Sequence, residues 1–152
     1  AVLPPELVKI LMEMGHGDEI VIADGNFPAA ATAKRLIRCD GLGVPVILEA
    51  VLKLFPLDTY VSEPVTLMSV VPGDPVKPTI WEKYREIVQK EAGPGGPGEG
   101  PGPGAAPGPG PGIAFMERFA FYEKAKNAYA VVATGEMALY ANVILKKGVV
   151  IP

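Results

Sequence analysis

Apolar residues recur at helical spacing from Pro4 to Met14, where Leu7, Ile10, Leu11 and Met14 share one face and Gly15 can end the run. Pro4 and Pro5 suit the start of such a helix, because a missing N–H costs nothing in its first turn. The pattern then changes. Glu19-Ile-Val-Ile-Ala-Asp24 is a β-branched run closed by an acid, and Gly25-Asn26 follows, which predicts a buried strand and a turn. Helical spacing returns between Pro45 and Phe55, with Val46, Ile47, Ala50, Val51 and Leu54 as the stripe. Val65 to Val71 predicts another strand, and Thr79 with Glu82 fits a capping box for a helix reaching Lys90. Glu117 to Asn127 is helical in composition, Ala128 to Thr134 predicts a buried strand, and Val143 to Ile151 a last one. Strands alternating with helices point to an α/β fold, with the sheet layered between helices as α/β/α.

Gly93 to Gly112 interrupts this order with a stretch almost entirely of glycine and proline. Collagen requires glycine at every third position, and here glycine mostly alternates, so a triple helix is rejected. Pro94-Gly-Gly-Pro97 satisfies a minimal PxxP pattern, which this composition makes nearly unavoidable. The stretch has no apolar surface to bury and reads as a passive surface insertion. Neither half of the chain looks large enough to close a core alone. The expectation is one domain, 1–152, carrying residues 93–112 as a flexible insertion.

Composition narrows the function classes. Hydrophobic residues make up 49% of the 152 positions, which is globular rather than disordered. The net charge of −3 is spread without a basic cluster, so no nucleic-acid or anionic-membrane partner has electrostatic support. One cysteine, Cys39, excludes an internal disulfide framework and suits a reducing compartment. No apolar run approaches the ~18 residues that span a bilayer. Ala-Val-Leu-Pro-Pro-Glu lacks the basic start and apolar core of a signal peptide, and a cytoplasmic protein is expected.

Candidate chemistry is sparse. The sole histidine sits in Gly15-His16-Gly17-Asp18, where flanking glycines allow a sharp bend and leave the imidazole accessible. An imidazole exchanges protons near neutrality, so His16 is a candidate acid/base, against the plainer reading of an exposed or packed side chain. A lone histidine without an acidic cluster argues against a metal site. Asp24 ends a strand, and ligands of α/β sheets bind outside the strands' carboxyl ends; the residue fits a cap on the following turn equally well. Asp18 and Glu19 read as solvated or capping residues. Tyr140-Ala141-Asn142 breaks an apolar stretch with a phenol and an amide, both able to bond hydroxyls. Arg118 opens an aromatic-rich helix and either grips ligand oxygens or pairs with Glu117 or Glu123. Gly41-Leu42-Gly43 lacks a third glycine at Val46, and no Walker loop, nucleophile elbow or second histidine for a triad is present.

Taken together, Pro5-Glu-Leu, Met14-Gly-His-Gly-Asp-Glu-Ile20, Ala23-Asp24, Asn26-Phe-Pro28, Asp40-Gly-Leu42, Leu57-Asp-Thr-Tyr60, Arg118-Phe-Ala-Phe-Tyr-Glu123, Ala133-Thr-Gly-Glu136 and Leu145-Lys-Lys-Gly148 resemble the fucose mutarotase/ribose pyranase family. The resemblance covers nearly the whole chain outside the Gly/Pro stretch. It implies a compact α/β subunit that forms homo-oligomers and interconverts sugar anomers without a cofactor or metal. It implies His16 as catalytic acid/base and Asp24, Arg118, Tyr140, Ala141 and Asn142 as the monosaccharide-binding residues. Arg118 favours the L-fucose branch over the ribose one. Where the family usually has Tyr-Gly-Asn, this chain has Tyr140-Ala141-Asn142, and strain is expected at Ala141 if that position needs positive φ. Two further readings stay open: pyranose–furanose interconversion of ribose, and a sugar-binding protein without turnover.

Overall fold

Successive residues of a strand point to opposite sides of a sheet, and the central strands of this chain are apolar on both. In chain order the described residues, 2–92 and 111–151 of a computed structural model, form α1 (Pro5–Glu13), β1 (Glu19–Ala23), α2 (Ala29–Thr32), β2 (Leu36–Cys39), α3 (Val44–Leu52), β3 (Val65–Met68), α4 (Ile80–Ala92), β4 (Ile113–Met116), α5 (Arg118–Lys126), β5 (Ala130–Thr134) and β6 (Val143–Lys146). Ile20, Ile22, Val132 and Leu145 enter one core with Leu7, Ile47, Leu48 and Tyr84 from α1, α3 and α4. Val21, Ala23, Val131 and Ile144 enter a second core with Ala29, Phe121 and Ala125 from α2 and α5. The sheet is thus covered on both faces, the α/β/α layering that the sequence predicts. Phe121 is fully buried, and truncating such a side chain typically costs about 3–5 kcal/mol.

The sheet order is β2-β5-β1-β6-β3-β4. Strands β1 and β2 both run parallel to β5, and β3 runs parallel to β4. Only β6 is reversed, lying antiparallel between β1 and β3. This arrangement places the carboxyl ends of β1 to β5 and the amino end of β6 on one edge of the sheet. The loop before β1 and the residues after β6 lie on the opposite edge.

Several elements differ from the sequence reading. Helix α2 and strands β2 and β4 are short elements that the periodicity does not announce. In β2, Leu36 and Arg38 are exposed at the sheet border, so the two-sided apolar signature of a central strand is missing. Strand β3 stops at Met68 rather than Val71. The expected last strand ends at Lys146, because the Lys147 N–H turns to the Asp18 carbonyl and the Gly148 N–H to Pro56. Gly148 lies where a Cβ would collide with the Leu57 backbone. At the start of α4 the contact expected as a capping box is a backbone one, the Glu82 N–H donating to the Thr79 carbonyl at 3.3 Å. The predicted insertion falls outside the described residues except for Pro111 and Gly112. Among the described residues, no helix is long and apolar enough to cross a membrane.

Candidate functional site

Asp24 follows the last residue of β1 and is buried at the carboxyl edge. Its N–H donates to Asn142 Oδ1 at 2.7 Å, its Oδ1 accepts from the Asn26 N–H at 3.0 Å, and its Oδ2 accepts from the Ala141 N–H at 3.3 Å. Burial raises its carboxyl above the ordinary range; the Asn26, Ala141 and Phe27 N–H groups pull the other way, and the Glu136 charge adds to the rise. Asp24 therefore caps its turn and also faces the cavities described below.

The Tyr140-Ala141-Asn142 segment is locked from several elements. Tyr140 donates its phenol to Asp74 Oδ2 at 2.6 Å and accepts from the Val71 N–H at 3.3 Å. Asp74 raises the phenol and is itself held below the usual carboxylate range by that bond. The Tyr140 carbonyl accepts from Trp81 Nε1 at 2.9 Å, and the Ala141 carbonyl from the Tyr84 hydroxyl at 2.7 Å. The positive φ of this segment lies at Tyr140, at 56°, and not at Ala141. The strain expected at alanine is absent; a left-handed tyrosine costs about 1–2 kcal/mol, offset by the bonds that hold it.

Arg118 is the first residue of α5, whose N-terminus is capped by Glu117 accepting from the Phe119 and Ala120 N–H groups, each at 2.9 Å. Glu123 pairs instead with Lys126, so neither acid takes Arg118, whose guanidinium lies 4.8 Å from the Phe119 ring centre. Arg118, Asp24, Tyr140 and Asn142 line one cleft of about 220 Å³ together with Asn26, Asp74 and the apolar Phe27, Met68 and Tyr122. That volume is below the roughly 300–1,000 Å³ of pockets for drug-sized ligands. A cationic fork, a carboxylate, a phenol and an amide against an apolar wall suit a small polyhydroxylated ligand. A second cavity of about 540 Å³ opens on the other side of Asp24, bordered by Phe27, Arg38, Asp40 and Thr134.

His16 is on the opposite edge. Its loop is closed by the Gly15 N–H on Asp18 Oδ2 at 2.8 Å, by a left-handed Gly17 at φ 90°, and by the Gly17 N–H on the Lys147 carbonyl at 2.8 Å. The buried Lys147 ammonium donates to the carbonyls of Leu11 and Met14, both at 2.6 Å, tying the end of α1 to this loop. His16 Nε2 lies 3.0 Å from Oδ1 of the buried Asp58, and the Tyr60 ring packs 5.1 Å from the imidazole. At about 3.3 Å per residue, the five residues of β1 alone separate His16 from Asp24 by roughly 16 Å. The structure thus gathers Asp24, Arg118, Tyr140 and Asn142 and, within one chain, does not bring His16 to them. Ala141 is fully buried and offers the site its backbone only.

Asp58, Asp74, Trp81, Tyr84 and Lys147 support these groups and carry no local signal of doing so. Among the described residues, no cluster of three His, Cys, Asp or Glu side chains is placed to hold a metal.

Residues 1–150 match the RbsD / FucU transport protein family. The chain is 45% identical to an L-fucose mutarotase of Actinobacillus pleuropneumoniae over 147 residues, covering 97% of this chain and 92% of that protein. It is 48% identical to the human fucose mutarotase over 155 residues, covering 98% and 90%. Its fold matches the crystal structure of the fucose mutarotase in complex with L-fucose from Streptococcus pneumoniae, with a TM-score of 0.82, 48% identity and coverage of 97% and 94%.

Proposed function

The chain belongs to the RbsD / FucU transport protein family, and from that membership and the geometry of its carboxyl-edge cleft we propose that it is an L-fucose mutarotase. The observation that carries this reading is the convergence of Asp24, Arg118, Tyr140 and Asn142 on one small cleft, in a chain similar to proteins named for that activity. Anomer exchange needs only proton transfer. The ring oxygen gains a proton as its bond to the anomeric carbon breaks, and the anomeric hydroxyl gives its proton to a base. The resulting aldehyde rotates, and the reverse transfers close the ring on its other face. Asp24 and Asn142 accept from sugar hydroxyls, Arg118 donates to sugar oxygens, and Tyr122 walls the cleft beside the 6-methyl group. His16 supplies the catalytic proton.

Because one chain separates His16 from the cleft, the complete site forms between two copies, the histidine edge of one meeting the carboxyl edge of the next. Exposed apolar groups at both edges support this contact: Phe119, Met137 and Leu139 at one, Tyr60, Val149, Val150 and Ile151 at the other. Two different surfaces in contact make a heterologous interface, which closes into a ring when the rotation permits. Strands from both sides of the 93–112 stretch pair in one sheet, which supports a single domain with that stretch as an insertion. An enzyme of sugar metabolism of this kind acts in the cytoplasm.

Saturation-transfer NMR on L-fucose tests the reading. Faster exchange between the two anomeric proton signals is expected with protein added. Exchange of ribose pyranose and furanose forms without effect on fucose would favour the ribose reading, and no effect on either sugar would leave a binding protein.

A further inference from the structure

The pairing of His16 with Asp58 fixes more than the position of the ring. We propose that His16 exchanges protons through Nδ1, and that Asp58 is the positioning residue that keeps a proton on Nε2. Asp58 Oδ1 lies 3.0 Å from Nε2, and the same oxygen accepts from the Tyr60 N–H at 3.0 Å. An ionised carboxylate only accepts hydrogen bonds. Burial would raise the Asp58 carboxyl, but the Tyr60 N–H, His16 and the Lys146 charge together more than offset it, and the group sits below the ordinary carboxylate range. A bare Nε2 would set a lone pair against a carboxylate lone pair; the neutral ring therefore carries its proton on Nε2. That leaves Nδ1 as the atom that gains and loses a proton.

The surroundings agree with that assignment. Asp58 is 5% exposed and its carboxylate meets Nε2, while the imidazole is 45% exposed. Asp58 therefore touches no substrate and acts through His16. The Tyr60 ring packs at a tilt of 47° against the imidazole, and the bonds to Asp18 and Lys147 hold the loop beneath it. In this arrangement the Nδ1–H of the imidazolium delivers its proton to the sugar ring oxygen as the bond to the anomeric carbon breaks. Nδ1 takes a proton back from that hydroxyl when it re-attacks the carbonyl. The anomeric oxygen loses and regains its own proton through a separate base, so sugar and enzyme both end unchanged in composition.

The inference rests on the mutarotase reading, and two measurements separate their failures. His16 is the only histidine in the chain, so a ¹⁵N-labelled sample of the assembled protein shows one set of imidazole signals. At a pH where the ring is neutral, long-range ¹H–¹⁵N correlation is expected to show the proton on Nε2 and a bare Nδ1. The second measurement is Asp58→Ala, with folding checked by Trp81 fluorescence. Its kcat for fucose anomer exchange should fall at least ~10-fold, part of the ~10²–10⁴-fold that general acid–base catalysis supplies, with KM within about twofold. A proton on Nδ1 in an enzyme that exchanges fucose anomers, or an unchanged kcat in folded Asp58→Ala, would overturn this inference alone. Absence of exchange in the wild type would overturn the functional reading instead.

Discussion

The Asp24 N–H donates to Asn142 Oδ1 at 2.7 Å, joining the carboxyl end of β1 to the amino end of β6 across the floor of the cleft. Both residues are buried, so the bond has no water to replace it. Asn142→Ala leaves the Asp24 N–H unpaired, a penalty of about 1–3 kcal/mol. Denaturant unfolding should show a loss of that size, accompanied by weaker fucose binding. Unchanged stability would mean that the floor rearranges to find another acceptor.

Ala141→Gly separates the family's usual glycine from any need for it here. The left-handed residue is Tyr140, and Ala141 packs its methyl in the core. Glycine should therefore lower stability by about 0.5–1 kcal/mol through added freedom of the unfolded chain, without raising kcat. A gain in stability or rate would show that alanine is strained after all.

Acid should weaken sugar binding through Asp24. Burial holds its carboxyl above the ordinary value of about 3.9, so it takes up a proton before exposed carboxylates do. The protonated group turns one acceptor oxygen into a donor, and fucose affinity should fall as pH drops through that raised value. Stability moves the other way. Between the ordinary and the raised value the native chain binds more protons than the unfolded one, so this group's contribution falls as pH rises across that window. Fucose titrations followed by NMR at stepwise lower pH check the binding arm; affinity that stays level to the ordinary carboxylate range would contradict it.

How much of this was legible in the sequence follows from the range of each signal. The apolar runs of β1 and β5 announce buried strands because both faces are covered. Strand β4 does not stand out, since Ile113–Met116 directly follows the Gly/Pro stretch. His16, Asp24 and Arg118 draw notice through their neighbours in sequence. Asp58 and Asp74 do not, because each meets its partner far along the chain, His16 and Tyr140 respectively. The family resemblance supplies a set of site residues. The strand predicted between His16 and Asp24 already sets those two at opposite ends of β1, and only the sheet topology shows that Arg118, Tyr140 and Asn142 gather at the Asp24 edge.

Mixing two inactive variants tests the central claim most directly, because it asks for fucose anomer exchange and for a site shared between copies together. His16→Gln retains an intact cleft and Arg118→Ala an intact histidine loop, and each alone should lose at least about tenfold in exchange rate. Arg118 is exposed, so its variant should unfold within about 0.5 kcal/mol of the wild type. When the two are unfolded and refolded together in equal amounts, random pairing across a heterologous interface makes roughly a quarter of the sites complete. Saturation transfer on L-fucose should then recover to about a quarter of the wild-type rate measured alongside. A mixture as silent as its two components, beside an active wild type, would contradict a site built from two copies.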